Sequence, residues 1–168
     1  MTASNQSEEE GGSRLARLNA ALEQAGAEGP DTAIACAVAE LCGSVADIAL
    51  LHYIGVAFHE SGDLAVAERV LDLALARDPA FMPSRIELGA VHTAAGRNAD
   101  ARRTYEQAVL LPGAPAYVFA RLAGIIAAEG QLFQARLLLT AALADEPGHP
   151  QWQQDLMKVE RQLLQRLI

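Results

Sequence analysis

Three glycine turns recur along this chain at a spacing of 34 residues: Gly62-Asp63, Gly96-Arg97 and Gly130-Gln131. Aligning the sequence on these turns divides it into consecutive blocks over 48–81, 82–115 and 116–149, without an insertion or a deletion. A period of this length indicates a supersecondary unit that stacks on copies of itself, because one such unit cannot bury its apolar face alone.

The columns of this alignment describe a pair of closely packed helices, A and B. Small residues occupy three columns: Gly55, Gly89 and Ala123 at block position 8, Ala67, Ala101 and Ala135 at position 20, and Ala74, Ala108 and Ala142 at position 27. Larger side chains occupy position 24: Leu71, Tyr105 and Leu139. The small residues let the two helices approach, and the larger ones fill the space between them. The glycine of each turn is expected to end helix A in a left-handed conformation.

This pattern resembles the tetratricopeptide repeat, a helix–turn–helix unit of the same length. Two of its usual aromatic columns are replaced here, by Leu51, Arg85 and Phe119 at position 4 and by Phe58, His92 and Ile126 at position 11. The resemblance implies an all-α, right-handed α-solenoid of three helix hairpins.

The flanks extend the same architecture. Residues 14–47 contain two apolar helical rows, at Leu15, Leu18 and Leu22 and at Ile34, Val38 and Leu41, and predict a degenerate N-terminal hairpin. Residues 150–168 predict a C-terminal capping helix. Residues 1–13 are polar and acidic and predict a disordered tail, so we expect a single solenoid over 14–168.

The charge balance narrows the classes of partner. The chain carries 21 acidic and 13 basic residues, a net charge of −8 with His neutral, and residues 18–68 contain no Lys or Arg. Nucleic acid is therefore not expected as a ligand, because phosphate binding requires a basic face. The acidic half either serves solubility or meets a basic partner surface. No apolar run is long enough for a membrane span and no leader is evident, so we expect a cytoplasmic protein.

The sequence contains no catalytic or cofactor-binding motif. Cys36 and Cys42 are expected to be buried thiols. His52 and His59 share one helix face, but seven residues separate them, and only His92 suggests itself as a third ligand; we expect no metal site and no cofactor. His149 lies in a loop, where we expect it to be solvated.

The resemblance also implies which residues face the concave groove, namely positions 2, 5, 9, 12 and 13 of each repeat. These are Ala49, His52, Val56, His59 and Glu60; Pro83, Ile86, Ala90, Thr93 and Ala94; and Tyr117, Ala120, Gly124, Ala127 and Ala128. Some family members bind a C-terminal carboxylate through a clamp whose positions correspond here to His52, Val56, Glu87, Tyr117 and Arg121. Because only Arg121 matches the clamp, we expect instead a small-sided, apolar and almost uncharged groove.

These features predict a non-catalytic scaffold that binds an apolar peptide or helix in the groove. The alternatives are a chaperone similar to the tetratricopeptide chaperones of type III secretion, an assembly adaptor in a multiprotein complex and, less favoured, an enzyme or a metal binder. The groove is either open or filled by the chain's own ends. The last helix has an extra apolar row, at Trp152, Met157, Leu164 and Ile168, which either packs within the molecule or forms a homodimer face.

Overall fold

The computed structural model describes residues 47–166, and this part of the chain consists of seven helices without a strand. The helices are α1 (Asp47–Ser61), α2 (Leu64–Arg77), α3 (Met82–Ala94), α4 (Asn98–Val109), α5 (Ala116–Ala128), α6 (Leu132–Asp145) and α7 (Pro150–Gln165). They form three successive hairpins, α1–α2, α3–α4 and α5–α6, followed by α7 against α6. The predicted all-α solenoid is confirmed.

Glycines end the first helix of every hairpin. Gly62, Gly96 and Gly130 have φ values of +87°, +72° and +81°, in the left-handed region that favours glycine. The chain can therefore reverse within two or three residues at the same place in each repeat, and the 34-residue spacing seen in the sequence becomes a regular spacing of hairpins.

The small residues at position 8 lie against the large residues at position 24. A β-carbon at Gly55 would lie 2.7 Å from Cδ2 of Leu71, and one at Gly89 would lie 2.6 Å from Cε1 of Tyr105. Both distances are shorter than van der Waals contact, so α1 and α3 approach α2 and α4 more closely than any side chain would permit. The sequence-based explanation of these columns is confirmed.

Ion pairs connect the edges of the second hairpin to its neighbours. Glu68 of α2 accepts hydrogen bonds from Arg97 at 2.9 and 2.5 Å and lies 3.2 Å from Nε2 of His92. Arg102 of α4 binds Glu106 on its own helix and Glu129 at the end of α5. These contacts fix the second hairpin against the first and the third.

Several predicted features lie outside the described residues. They are the tail over 1–13, the N-terminal hairpin over 14–46, the thiols of Cys36 and Cys42, and Ile168. Within 47–166, none of the helices combines the length and the apolar character that crossing a bilayer would require.

Candidate functional site

The first helices of the three hairpins, α1, α3 and α5, carry the predicted groove residues. Helix α1 contacts α3, and α5 contacts α7, so these helices lie side by side; we call the surface that they share the groove. None of the predicted groove residues is fully buried. The exposed ones include Thr93, Tyr117, Arg121 and Gly124, and the half-buried ones include His52, Val56, His59, Ile86, Ala90 and Ala120.

The α1–α3 end of the groove is polar, which differs from the uncharged groove expected from the sequence. Nδ1 of His59 lies 2.5 Å from Oε1 of Glu87, so the imidazole donates to the carboxylate across the two helices. The prediction differed because it treated Glu87 only as a mismatch to the clamp, whereas its carboxylate reaches His59 on the neighbouring helix. The resulting pair ties α1 to α3.

His52 lies beside this pair in a less polar environment. Its ring packs edge-on against Phe81 with centroids 5.9 Å apart, and its buried Nδ1 has no hydrogen-bond partner within the described residues. Burial lowers the pKa of His52, and the negative charge of Glu87 offsets part of this effect. The imidazole is therefore held in its neutral form at neutral pH.

His92 does not join the other two histidines. It is nearly buried at the edge between α2 and α4, where its ring nitrogens lie 3.2 Å from Glu68 and 3.2 Å from the hydroxyl of Thr104. Across residues 47–166, no group of three His, Cys, Asp or Glu side chains could hold a metal ion.

Beneath the groove lies the buried side chain of Tyr105, which the sequence analysis assigned only to packing. Tyr105 extends from α4 across Gly89 and is 1% exposed. Its hydroxyl lies near the guanidinium of Arg121 on α5 and the hydroxyl of Thr93 on α3. Burial raises the pKa of Tyr105, and Arg121 and Thr93 counteract part of the shift. The column at position 24, where Tyr replaces Leu, was the only sequence signal for this group.

The α5–α7 end of the groove is a cavity of about 310 Å³. Small residues of α5 form one wall, and the space beside Gly124 is open, because a β-carbon there would meet nothing within 4 Å. Helix α7 supplies the other wall through Val159, Gln162 and the ion pair between Asp155 and Lys158, whose atoms are 2.8 Å apart. The capping helix thus also lines the groove. The polar rim that Asp155, Lys158 and Gln162 give to this end of the groove was not predicted from the sequence.

The structure assigns Trp152 to packing within the molecule, and it shows His149 to be less solvated than expected. Trp152, assigned to a possible dimer face, is only 7% exposed and stacks on His149, with ring centroids 3.8 Å apart. His149 is not a free loop residue, because its ring nitrogen accepts a hydrogen bond from the backbone N–H of Trp152 at the start of α7. Met157 and Leu164, from the same predicted face, are 57% and 63% exposed.

Comparison with solved structures identifies the architecture. A MamA fragment (residues 41 to the end) from Desulfovibrio magneticus RS-1 superposes with a TM-score of 0.67 and 19% identity, over 89% of this chain and 85% of that chain. The first tetratricopeptide domain of Spaghetti (RPAP3), bound to an HSP90 peptide, gives a TM-score of 0.66 and 18% identity, over 70% and 93%. The Yersinia enterocolitica type III secretion translocator chaperone SycD gives 0.61 and 19%, over 74% and 89%.

Sequence comparison adds no closer relative, since no protein-family model and no curated protein matches this chain. The similarity nevertheless extends over most of each solved chain that was compared. It agrees with the helix–turn–helix unit that the 34-residue period of the sequence predicts. This chain therefore has the fold of the tetratricopeptide repeat domains.

Proposed function

We propose that this chain is a non-catalytic interaction scaffold of the cytoplasm that binds a segment of a partner protein in its groove. The observation that carries the proposal is the cavity between α5 and α7, whose apolar floor remains open beside Gly124. An open apolar hollow with a few polar groups at its rim is typical of a site for an apolar side chain. We expect the partner to insert such a side chain here.

The known ligands of similar structures support this assignment. RPAP3 is solved with an HSP90 peptide, and SycD is solved with a peptide of the translocator YopD. The groove of this chain offers Ile86, Ala90 and Tyr117 as further apolar contacts, and its half-buried residues leave room for a peptide backbone. Within this class, a chaperone for an apolar translocator segment and an assembly adaptor are the two specific roles that we consider.

Filling the cavity tests the proposal. The variant Gly124→Leu places a side chain where the wild-type protein has open space, whereas Ala141→Leu adds the same side chain on the exposed surface of α6. In affinity capture from the native cell with quantitative mass spectrometry, the partner should be retained by wild type and Ala141→Leu and lost from Gly124→Leu. Equal capture by all three proteins would exclude this cavity as the binding site.

The exposed apolar side chains near the C-terminus favour a second candidate function, homodimerisation. Met157 and Leu164 of α7 are exposed, and so are Phe133 and Leu137 of α6, at 65% and 64%. Exposed apolar residues that cluster at one end of a domain are typical of an interface. Sedimentation velocity should show a concentration-dependent dimer that the double variant Met157→Lys, Leu164→Lys abolishes; a wild-type monomer at high concentration would rule out this interface.

A further inference from the structure

The outer face of α6 carries a stripe of uncharged side chains. Phe133, Leu137, Thr140 and Ala144 follow one another at intervals of four, three and four residues, and all four are exposed. These intervals are those of the a and d positions on the contact face of two paired helices. Phe133 and Leu137 are 65% and 64% exposed, so residues 47–166 leave most of each side chain uncovered.

The earlier repeats show which residues occupy this face when it is solvated. The positions that correspond to Phe133, Leu137 and Thr140 hold a small, a basic and an acidic residue in both earlier repeats: Ala65, Arg69 and Asp72 in α2, and Ala99, Arg103 and Glu106 in α4. Charged residues are usual on the water-facing side of a helix, whereas exposed apolar residues that adjoin one another mark an interface. The change of composition at equivalent positions therefore indicates that a partner covers the outer face of α6.

The two halves of the stripe complement each other in size. The large side chains, Phe133 and Leu137, lie in the first half of α6, and the smaller ones, Thr140 and Ala144, lie in the second half. A second α6 helix that runs in the opposite direction sets Phe133 against Ala144 and Leu137 against Thr140 of the other copy. A parallel helix would set large against large and small against small, and it would leave a gap at one end. The stripe therefore fits a copy of itself that is related by a two-fold axis.

We propose that a second copy of this chain docks on α6, with the two α6 helices antiparallel about a two-fold axis between Leu137 and Thr140. This inference rests on homodimerisation, the second candidate function above, and it assigns the contact to α6. The charged residues of α6 are Arg136 and Asp145, which are opposite in sign, so the contact brings no net charge together. A contact between single helices is smaller than a standard interface of about 1,600 Å², so the dimer should be weak.

The position of this contact leaves the groove free. The groove is lined mainly by the first helices of the hairpins and by α7, whereas α6 is the second helix of its hairpin. A dimer built through the outer face of α6 therefore presents two grooves, one on each copy, and can bind two partner segments at once.

The variant Leu137→Arg tests the interface with little risk to the fold, because α2 and α4 hold Arg at the same position. The control variant Ala76→Arg adds the same charge on the exposed surface of α2. In sedimentation velocity over a wide range of concentrations, the dissociation constant of the dimer should rise at least about tenfold in Leu137→Arg and stay unchanged in Ala76→Arg. Equal dissociation constants for wild type and Leu137→Arg would overturn the inference.

A mixture of two variants tests the antiparallel register. Thr140→Glu places a carboxylate against Leu137 of the other copy, so this variant should also dimerise weakly. In an equimolar mixture with Leu137→Arg, the introduced guanidinium of one copy faces the introduced carboxylate of the other, and the second contact of the pair is that of wild type. The mixture should associate more strongly than either variant alone; a mixture that does not would overturn the antiparallel arrangement.

The inference and the candidate function fail in different ways. A dimer that survives Leu137→Arg but is lost in the double variant Met157→Lys, Leu164→Lys overturns the assignment to α6, while homodimerisation stands. A wild-type chain that stays monomeric at every concentration overturns both. Neither result affects the groove, whose function is measured separately by partner capture with Gly124→Leu.

Discussion

The two ends of the groove are built from the same repeat and yet differ in chemistry. At the α1–α3 end, His59 and Glu87 bond across neighbouring helices, and the ring of His52 packs on Phe81. At the α5–α7 end, small residues leave a hollow of about 310 Å³ beside Gly124. Corresponding positions are thus used to join helices at one end and to leave space between them at the other.

Gly89 of α3 and Gly124 of α5 show the same contrast between a packed region and an open one. A β-carbon at Gly89 would collide with the ring of Tyr105, whereas one at Gly124 would project into open space. Identical substitutions at the two sites should therefore have opposite effects on stability, which makes them a direct test of the contrast between packed and open regions.

The largest effect is expected from Gly89→Ala. The added methyl group displaces the buried ring of Tyr105, and overpacking of this kind costs roughly 1–3 kcal/mol, more than the helix gains from replacing glycine. Urea denaturation followed by circular dichroism should show a lower midpoint. An unchanged midpoint would mean that α3 and α4 are less tightly packed than the contact indicates.

Gly124→Ala should change stability in the other direction. Alanine fits the open space and restricts the unfolded chain, so the free energy of unfolding should rise by about 0.5–1 kcal/mol. The same denaturation experiment measures it, and wild type and Gly89→Ala serve as references. A loss of stability would show that the space beside α5 is occupied.

The contacts of Glu68 predict a pH dependence of stability at the packed edge. The hydrogen bond from Arg97, assisted by His92, lowers the pKa of Glu68 below its usual value of 4.5, although burial opposes the shift. A lowered folded-state pKa stabilises the protein above the unfolded value, and this stabilisation disappears as the pH falls through the folded value. The unfolding free energy should therefore decrease on acidification below about pH 5.

The variant Glu68→Gln isolates this contribution. It should lose less than about 1 kcal/mol at neutral pH, since the pair is partly exposed, and its stability should fall less steeply than that of wild type in acid. Parallel pH profiles for the two proteins would show that Glu68 contributes nothing to the acid response.

The smallest effect is expected at the rim of the open end. Lys158→Ala removes the exposed ion pair with Asp155, and the free energy of unfolding should change by no more than about 0.5 kcal/mol. Thermal unfolding of the variant provides the measurement. A larger loss would show that the ion pair, rather than the apolar contacts of Trp152, Val159 and Leu163, holds α7 in place.

The fold could be predicted well because its determinants are local and repeated. The turn glycines and the pairs of small and large residues each act within one hairpin, and three repetitions make the pattern visible above sequence noise. The groove positions are also accessible as expected. The polar contacts were less predictable, because the partners of His59 and Glu68 lie 28 and 24 or more residues away on other hairpins.

The C-terminal helix shows why an apolar row does not identify an interface. Trp152, Met157 and Leu164 all belong to the surplus apolar residues of one amphipathic helix, but Trp152 is covered by His149 whereas the other two are exposed. The direction of α7 relative to α6 decides this outcome, and that direction depends on packing that the sequence of α7 does not contain.

The sequence by itself determined the hairpin repeat, its turns and the positions of close helix approach, because these depend on backbone freedom and side-chain size within about 30 residues. Only the tertiary structure decided that Glu87 ties α1 to α3, that the buried Tyr105 hydroxyl lies near Arg121 and Thr93, and that α5 and α7 leave an open cavity. Those features depend on how successive hairpins stack, and stacking joins residues that no local pattern relates.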